Sequence, residues 1–353
     1  LTRPKLDIRG VTKRYGEATA LLPTSLQVAA GEFLTLLGPS GSGKTTLLMM
    51  IAGLTEASGG EILLDGQDIT RTPAYRREIG VVFQNYALFP HLSVFENVAF
   101  PLRMRKRPDS EIAAAVGRTL ELVRLGHLAA RLPRELSGGQ QQRVAFARAI
   151  VFDPQLVLMD EPLGALDKKL RDELKLEIRK LHAELRKTIV YVTHDQDEAM
   201  LLSDRVCLMN EARVEQIDAP VALYERPRTR FAASFVGESN LLDGIVQGGQ
   251  VRVGERSLAT AHRDRLPADG QPVTVLIRPE RLRFAPGPDA ALLQGRVVDV
   301  LDLGAVRRLS IVSSGTAGLA MTVLGGGKPV EAGGEVFLTA APEDVVPLSE
   351  SGS

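Results

Sequence analysis

Phe33-Leu34-Thr35-Leu36-Leu37-Gly38-Pro39-Ser40-Gly41-Ser42-Gly43-Lys44-Thr45 decides the fold of the first part of this chain. A short apolar run leads into two glycines separated by four residues, then lysine and threonine, and the helical run Leu47 to Leu54 follows. That order predicts strand, tight loop, helix, the context in which a glycine-rich loop cradles phosphate. The glycines let backbone N–H groups turn inward, and the helix N-terminus adds partial positive charge. Lys44 can then reach the β and γ phosphates of a nucleotide, and Thr45 can ligate Mg²⁺. A bare glycine-rich turn would lack the flanking strand and helix.

A second strand-like run, Leu156 to Met159, delivers Asp160 and Glu161 at its end, where ligand sites of open α/β sheets lie. Asp160 suits Mg²⁺ held mainly through water, because magnesium dehydrates reluctantly. Glu161 is placed to orient or deprotonate an attacking water. Further apolar runs at Ile79–Phe83 and Ile189–Val192 alternate with helical patterns, so the expectation up to about residue 235 is a largely parallel sheet covered by helices. Lys168 to Lys187 is the clearest helix, with Leu170, Leu174, Ile178, Leu181 and Leu185 at helical spacing. Between Leu92 and Glu135 strand signals vanish, and Ser110 to Leu125 reads as part of a helical insertion. After Gly237 short runs such as Val273–Ile277, Gly295–Val300 and Glu335–Thr339, separated by glycine and proline, predict a small β-barrel.

The chain has 353 residues, more than one core usually organises, so two domains are expected. Its 43 basic and 43 acidic residues argue against a surface built to neutralise nucleic-acid phosphates. The single cysteine, Cys207, lies in the apolar run Val206–Met209 and is expected to be a core thiol. No stretch of about 18 apolar residues is present and Leu1–Lys5 lacks a secretory pattern, so the expectation is a cytoplasmic chain that meets a membrane only through a partner.

Leu136-Ser137-Gly138-Gly139-Gln140-Gln141-Gln142-Arg143, together with the phosphate loop, resembles the ABC ATPase family closely. The resemblance implies a P-loop NTPase domain over residues 1–236, with a helical subdomain at about 90–140. It also implies an OB-like barrel over 237–353, of the type called TOBE, entered at Phe235–Glu238 and containing Ile277-Arg278-Pro279-Glu280. It implies that ATP is held by Tyr15, stacked on adenine, by Gly38, Pro39, Ser40, Gly41, Ser42, Gly43, Lys44, Thr45 and Thr46, and by Gln84, Asp160 and His194. Ser137, Gly138, Gly139 and Gln140 would face the γ-phosphate bound by a second copy of the chain. Mg²⁺ falls to Thr45, Gln84 and Asp160. Catalysis falls to Glu161, His194 and Gln84, and Leu166-Asp167 is similar to the loop that crosses the dimer interface.

The barrel resembles those of binding-protein-dependent importers. This implies a separate transmembrane permease, an indirect solute-binding protein, a homodimer, no nucleic acid, and a place on the cytoplasmic face of the membrane. The segment after Gln84, including Tyr86, Phe89 and Pro90, is the expected socket for permease helices, with a buried aromatic cluster as the plainer reading. Val82 to His91 looks most like spermidine/putrescine-type importers, although sugar, ferric-iron and phosphonate importers share much of it. ABC proteins acting on ribosomes or DNA commonly carry two cassettes or a long coiled coil, and neither is present. One departure is Asn210-Glu211-Ala212-Arg213, where relatives usually have glycine at the position of Ala212. Alanine tolerates positive φ poorly, so this hairpin is expected to use another turn type.

Overall fold

The computed structural model describes residues 3–164, 166–313, 318–324 and 330–349. Their contacts divide the chain into two compact units, Leu1–Val221 and Ala222–Ser353. In chain order the first carries β1 (Leu6–Tyr15), β2 (Ala18–Val28), β3 (Phe33–Leu37), α1 (Lys44–Ala52), β4 (Gly59–Leu64), β5 (Gln67–Asp68), β6 (Ile79–Val82), α2 (Val94–Met104), α3 (Asp109–Leu122), α4 (Gly138–Ile150), β7 (Leu156–Asp160), α5 (Lys168–Leu185), β8 (Ile189–Thr193), α6 (Gln196–Leu202), β9 (Arg205–Asn210) and β10 (Arg213–Asp218).

The apolar runs make the expected sheet. Its order is β10-β9-β3-β8-β7-β6, with β9 through β6 parallel and β10 antiparallel at the edge. Phe33–Leu37, Leu156–Asp160 and Ile189–Thr193 are buried at every residue, as a sheet covered on both faces requires. One covering layer departs from the sequence reading, because β2-β1-β4-β5 form a separate antiparallel sheet where only helices were expected. Leu6, Ile8, Leu21 and Val28 turn inward from it and share a core with α1 and with Leu34, Leu36 and Val192 of the parallel sheet. The other face packs on α2 to α5 through Val98, Val116, Phe146 and Ile178. Cys207 is fully buried in β9, and burial pushes its thiol up to about 12, which makes it a core residue.

Residues Asn210–Arg213 correct an expectation. The hairpin between β9 and β10 has Glu211 at φ 46° and Ala212 at φ 61°, so both central residues adopt the left-handed conformation the sequence reading denied to alanine. A two-residue connection between right-twisting strands favours this mirror-image turn whatever residue occupies it. Leu22 also donates its N–H to the Ala212 carbonyl at 2.8 Å, which holds the turn against β2. Ala212→Gly should therefore raise the unfolding free energy of this unit by about 0.5–1 kcal/mol, strain relief exceeding the added unfolded-state entropy. A lower denaturation midpoint for the variant would reject this account.

Among its described residues the second unit is all-β apart from short helices. Its strands form two five-stranded antiparallel sheets, one running Asn240–Gln247, Gln250–Val253, Arg256–Leu258, Pro272–Ile277 and Val346–Leu348, the other built on Leu293–Asp302 and Val306–Ser313. Val251, Val275, Val297, Leu309 and Leu338 fill one common interior, the OB-like barrel expected from the sequence. Arg278 of the Ile277–Glu280 segment is buried beneath the Tyr224 ring and donates to the carbonyls of Tyr224, Ala233 and Glu238. This arginine is the physical content of that short match, a clamp on the chain that enters the barrel.

Candidate nucleotide site

Gly38 to Gly43 leave the end of β3 as a tight loop, and α1 begins at Lys44. The first glycine is obligatory. A Cβ at Gly38 would lie 2.1 Å from the Met209 carbonyl, and its φ of 154° is unsuited to other residues. Ser40 and Gly41 form the exposed tip, Ser42 is buried beneath it, and Thr46 is half-buried in the first turn of the helix. Lys44, only 5% exposed, donates to the carbonyls of Gly38 at 2.9 Å and Pro39 at 2.8 Å. Burial lowers its pKa, and the nearby negative charges of Glu161 and Asp160 oppose that shift. The ammonium is thus anchored on its own loop and flanked by the two carboxylates.

Thr45 donates its hydroxyl to Asp160 at 3.1 Å, joining α1 to the end of β7. Asp160 is 7% exposed, and burial raises its pKa, with the Thr45 hydrogen bond pulling the other way. At the next residue the strand breaks: Glu161 has φ 43°, an uncommon conformation for a carboxylic residue, while its N–H still donates to the Val192 carbonyl at 3.0 Å. The kink aims the carboxylate between two other elements. Gln84, just past β6, donates its amide to one Glu161 oxygen at 3.3 Å, and His194, just past β8, places Nδ1 3.2 Å from the other. Gln84, Glu161 and His194 therefore meet at the carboxyl ends of three adjacent parallel strands.

Tyr15 lies at the exposed tip of the β1–β2 hairpin, 57% accessible, with the Lys13 ammonium 4.8 Å above its ring. The same hairpin passes the phosphate loop, since a Cβ at Gly43 would meet the Ala20 carbonyl at 3.0 Å. The Tyr15 ring, exposed on the hairpin that passes the loop, is available for stacking.

Ser137 is the N-cap of α4 in a reciprocal capping box: its hydroxyl accepts from Gln140 N–H at 3.3 Å, and the Gln140 side chain accepts from Ser137 N–H at 2.9 Å. The two glycines have a role the sequence reading missed. A Cβ at Gly138 would stand 2.9 Å from Leu166, and one at Gly139 would stand 3.1 Å from Leu170, so α4 starts in close contact with the segment leading into α5. Asp167 caps α5 by accepting from Leu170 N–H at 3.0 Å. Among the described residues no hydrogen bond or ion pair links Ser137–Gln140 to Gly38–Thr45, Asp160, Glu161 or His194 of the same chain. Tyr86 is 7% exposed and belongs to the core, whereas Phe89 is partly exposed and packs on Phe100 at a centroid distance of 4.6 Å.

Comparison with known proteins identifies the family. The ABC transporter family profile matches residues 21–164 and a TOBE domain profile matches residues 275–348. The chain is 48% identical over 317 residues to the spermidine/putrescine import ATP-binding protein PotA 2 of Pseudomonas aeruginosa, covering 87% of each. It is 49% identical over 310 residues to the sulfate/thiosulfate import ATP-binding protein CysA 1 of Chromobacterium violaceum, covering 87% of this chain and 86% of that one. Among solved structures, cbiO1 from Clostridium perfringens, part of the ABC transporter complex cbiONQ, aligns with a TM-score of 0.58 at 32% identity, over 62% of this chain and 90% of that one. With its phosphate loop, paired carboxylates and appended barrel, the chain belongs to the ABC transporter family, as an ATP-binding and ATP-hydrolysing subunit of an importer.

Proposed function

We propose that two copies of the chain close around two ATP molecules, and that this closure drives a separate membrane permease from the cytoplasmic face. The observation that carries the reading is the meeting of Gln84 and His194 on the Glu161 carboxylate beside Lys44, Thr45 and Asp160. In this reading the loop amides and Lys44 bind the β and γ phosphates, and Tyr15 stacks on adenine. Glu161 positions or deprotonates the attacking water, and Gln84 and His194 hold Glu161 and the γ-phosphate in register. Among the described residues Ser137 to Gln140 make no such contact, and they are exposed or half-buried at the start of α4 apart from Gly139. A helix start whose capping hydroxyl is exposed and keeps its own proton to donate is suited to the γ-phosphate held by a partner copy.

The donor set fits Mg²⁺. A threonine hydroxyl and a buried carboxylate 3.1 Å apart are hard oxygen ligands, and Gln84 adds an amide oxygen. Among the described residues no cluster of three or more His, Cys, Asp or Glu could hold a metal by itself, which is the usual pattern where nucleotide phosphates and water complete the shell. When bound, the ion withdraws charge from the phosphate oxygens.

No helix among the described residues is long and apolar enough to cross a membrane, and the importer ATP-binding relatives support a separate permease as the partner. Phe89 and Phe100 are the aromatic surface we assign to that contact. For cargo we infer polyamines, delivered by a solute-binding protein, from the wording Val82–His91 and from the spermidine/putrescine names of several similar relatives. The sulfate/thiosulfate relative supports a second reading, an oxyanion. In liposomes holding the cognate permease, with its binding protein, putrescine or spermidine should raise ATP hydrolysis several-fold. Stimulation by sulfate and not by either polyamine would overturn the cargo.

A further inference from the structure

The loop that carries Gln84 is held in an unfavourable conformation. Tyr86 and Ala87, two and three residues beyond it, have φ of 60° and 46°, so two consecutive residues that are not glycine are left-handed. Only glycine takes this conformation without steric cost. Strain of this kind persists where the surroundings impose it. Here the buried Tyr86 ring and Arg148 do so: Arg148, in the last turn of α4, donates Nη1 to the Ala87 carbonyl at 2.7 Å and Nη2 to the Tyr86 carbonyl at 2.8 Å. Among the described residues no carboxylate pairs with Arg148, and burial lowers its pKa. The guanidinium fork is spent on two main-chain oxygens.

The base of that fork is also fixed. A Cβ at Gly80 of β6 would lie 2.3 Å from the Ala149 carbonyl, so the end of α4 rests directly on the strand that leads to Gln84. The loop is therefore held at both ends by α4: at its strand through Gly80, and at its exit through Arg148. Between these points the Gln84 amide reaches Glu161. The opposite end of the same helix is Ser137.

We propose that Arg148 is a positioning residue for ATP hydrolysis: by gripping the Tyr86 and Ala87 carbonyls it fixes the loop that presents Gln84 to Glu161, and it ties that loop to the helix starting at Ser137. This deepens the proposed function and rests on its assignment of Gln84 and Glu161 to hydrolysis. A shift of α4 when Ser137 meets a partner's nucleotide is then delivered to the Gln84 loop both at Gly80 and through the Arg148 side chain. Lysine cannot substitute, since a single ammonium lacks the planar fork that serves two carbonyls at once. Arg148 does not touch the phosphate site, so it governs turnover and leaves ATP affinity alone.

The test uses the full chain in its reconstituted transporter, with ATP affinity and turnover measured separately for Arg148→Lys, Arg148→Met, Ala87→Gly, the Arg148→Lys/Ala87→Gly double variant and Glu161→Gln. Misplacing a group by about 1 Å can cost on the order of a hundredfold, so kcat should fall about 10- to 100-fold in both Arg148 variants while the ATP Kd stays within about twofold. Glycine at 87 accepts the left-handed conformation unaided, and so should return at least about threefold of the turnover lost in Arg148→Lys. A merely structural loss would not be repaired there, and if Arg148→Met does not fold, this double variant decides. Unchanged kcat in a folded Arg148 variant, a proportional loss of ATP affinity, or no recovery in the double variant overturns the inference. If Glu161→Gln abolishes turnover in those cases, only the role of Arg148 falls. If Glu161→Gln still hydrolyses ATP at the normal rate, the proposed site falls and the inference with it.

Discussion

Lys44→Ala should weaken ATP binding by about two to four powers of ten. The ammonium supplies charge-assisted hydrogen bonds to two phosphates, each worth about 1.5–3 kcal/mol, and about 1.4 kcal/mol is a factor of ten. The buried environment sharpens the effect. Lys44 is the cation beside Asp160 and Glu161, whose negative charges favour its protonated form against the cost of burial. Without it the two carboxylates repel each other and an incoming triphosphate, and Asp160, whose pKa burial already raises, would be driven further toward its neutral form. The Gly38 and Pro39 carbonyls also lose their donor, which loosens the loop whose N–H groups must point at phosphate. Equilibrium binding of a fluorescent ATP analogue, competed with ATP, measures this. Affinity within threefold of the parent chain would mean that the loop does not hold the phosphates.

How much of this could be read from the chain depends on whether a feature is local. The run Phe33–Leu37 is legible because a strand covered on both faces needs apolar residues on both, and four of its five side chains are apolar. Lys168–Leu185 is legible because one helical face carries the leucines and the other the charges. The antiparallel sheet was not, since β1 and β2 are interrupted by register shifts near Val11 and Lys13 that break the two-residue alternation. Turn type at Ala212 was misread because propensity was weighed without the twist of β9 and β10, which sets the turn.

The candidate site divides in the same way. The phosphate loop is contiguous and carries its own mechanism, so spacing alone pointed to phosphate. Gln84, Glu161 and His194 come from three separate strands, and nothing in their spacing brings them together; only family resemblance grouped them before the fold did. Gly138 and Gly139 were expected to face a second copy's γ-phosphate, and the structure adds close packing on Leu166 and Leu170. Arg148 gave no signal, because a half-buried arginine bonded to main-chain carbonyls has no acidic partner to advertise it, and Arg278 was marked only as part of a short family match.

Glu161→Gln should lower ATP turnover by about two to four powers of ten while leaving ATP bound, because the amide keeps the side chain's size and removes the group that orients or deprotonates water. The Gln84 contact can survive as an amide pair, but the His194 contact loses its charge, so the three side chains stay close without a base among them. If each ATP bridges Lys44 of one protomer and Ser137 of its partner, unhydrolysed ATP should hold the variant as a dimer that dissociates when nucleotide is removed. Adding Ser137→Arg fills the space at the start of α4 and should prevent this. It also removes the capping box, a loss of about 1 kcal/mol to the helix, so Ser137→Ala in the same background is the necessary companion. Alanine loses the cap without adding bulk and should still dimerise with ATP, though more weakly. Light-scattering mass with and without ATP separates the cases. Should Glu161→Gln bind ATP fully and show one mass in every condition, with Ser137→Arg indistinguishable from Ser137→Ala, the two-chain site is wrong and the cap at Ser137 serves only its own helix.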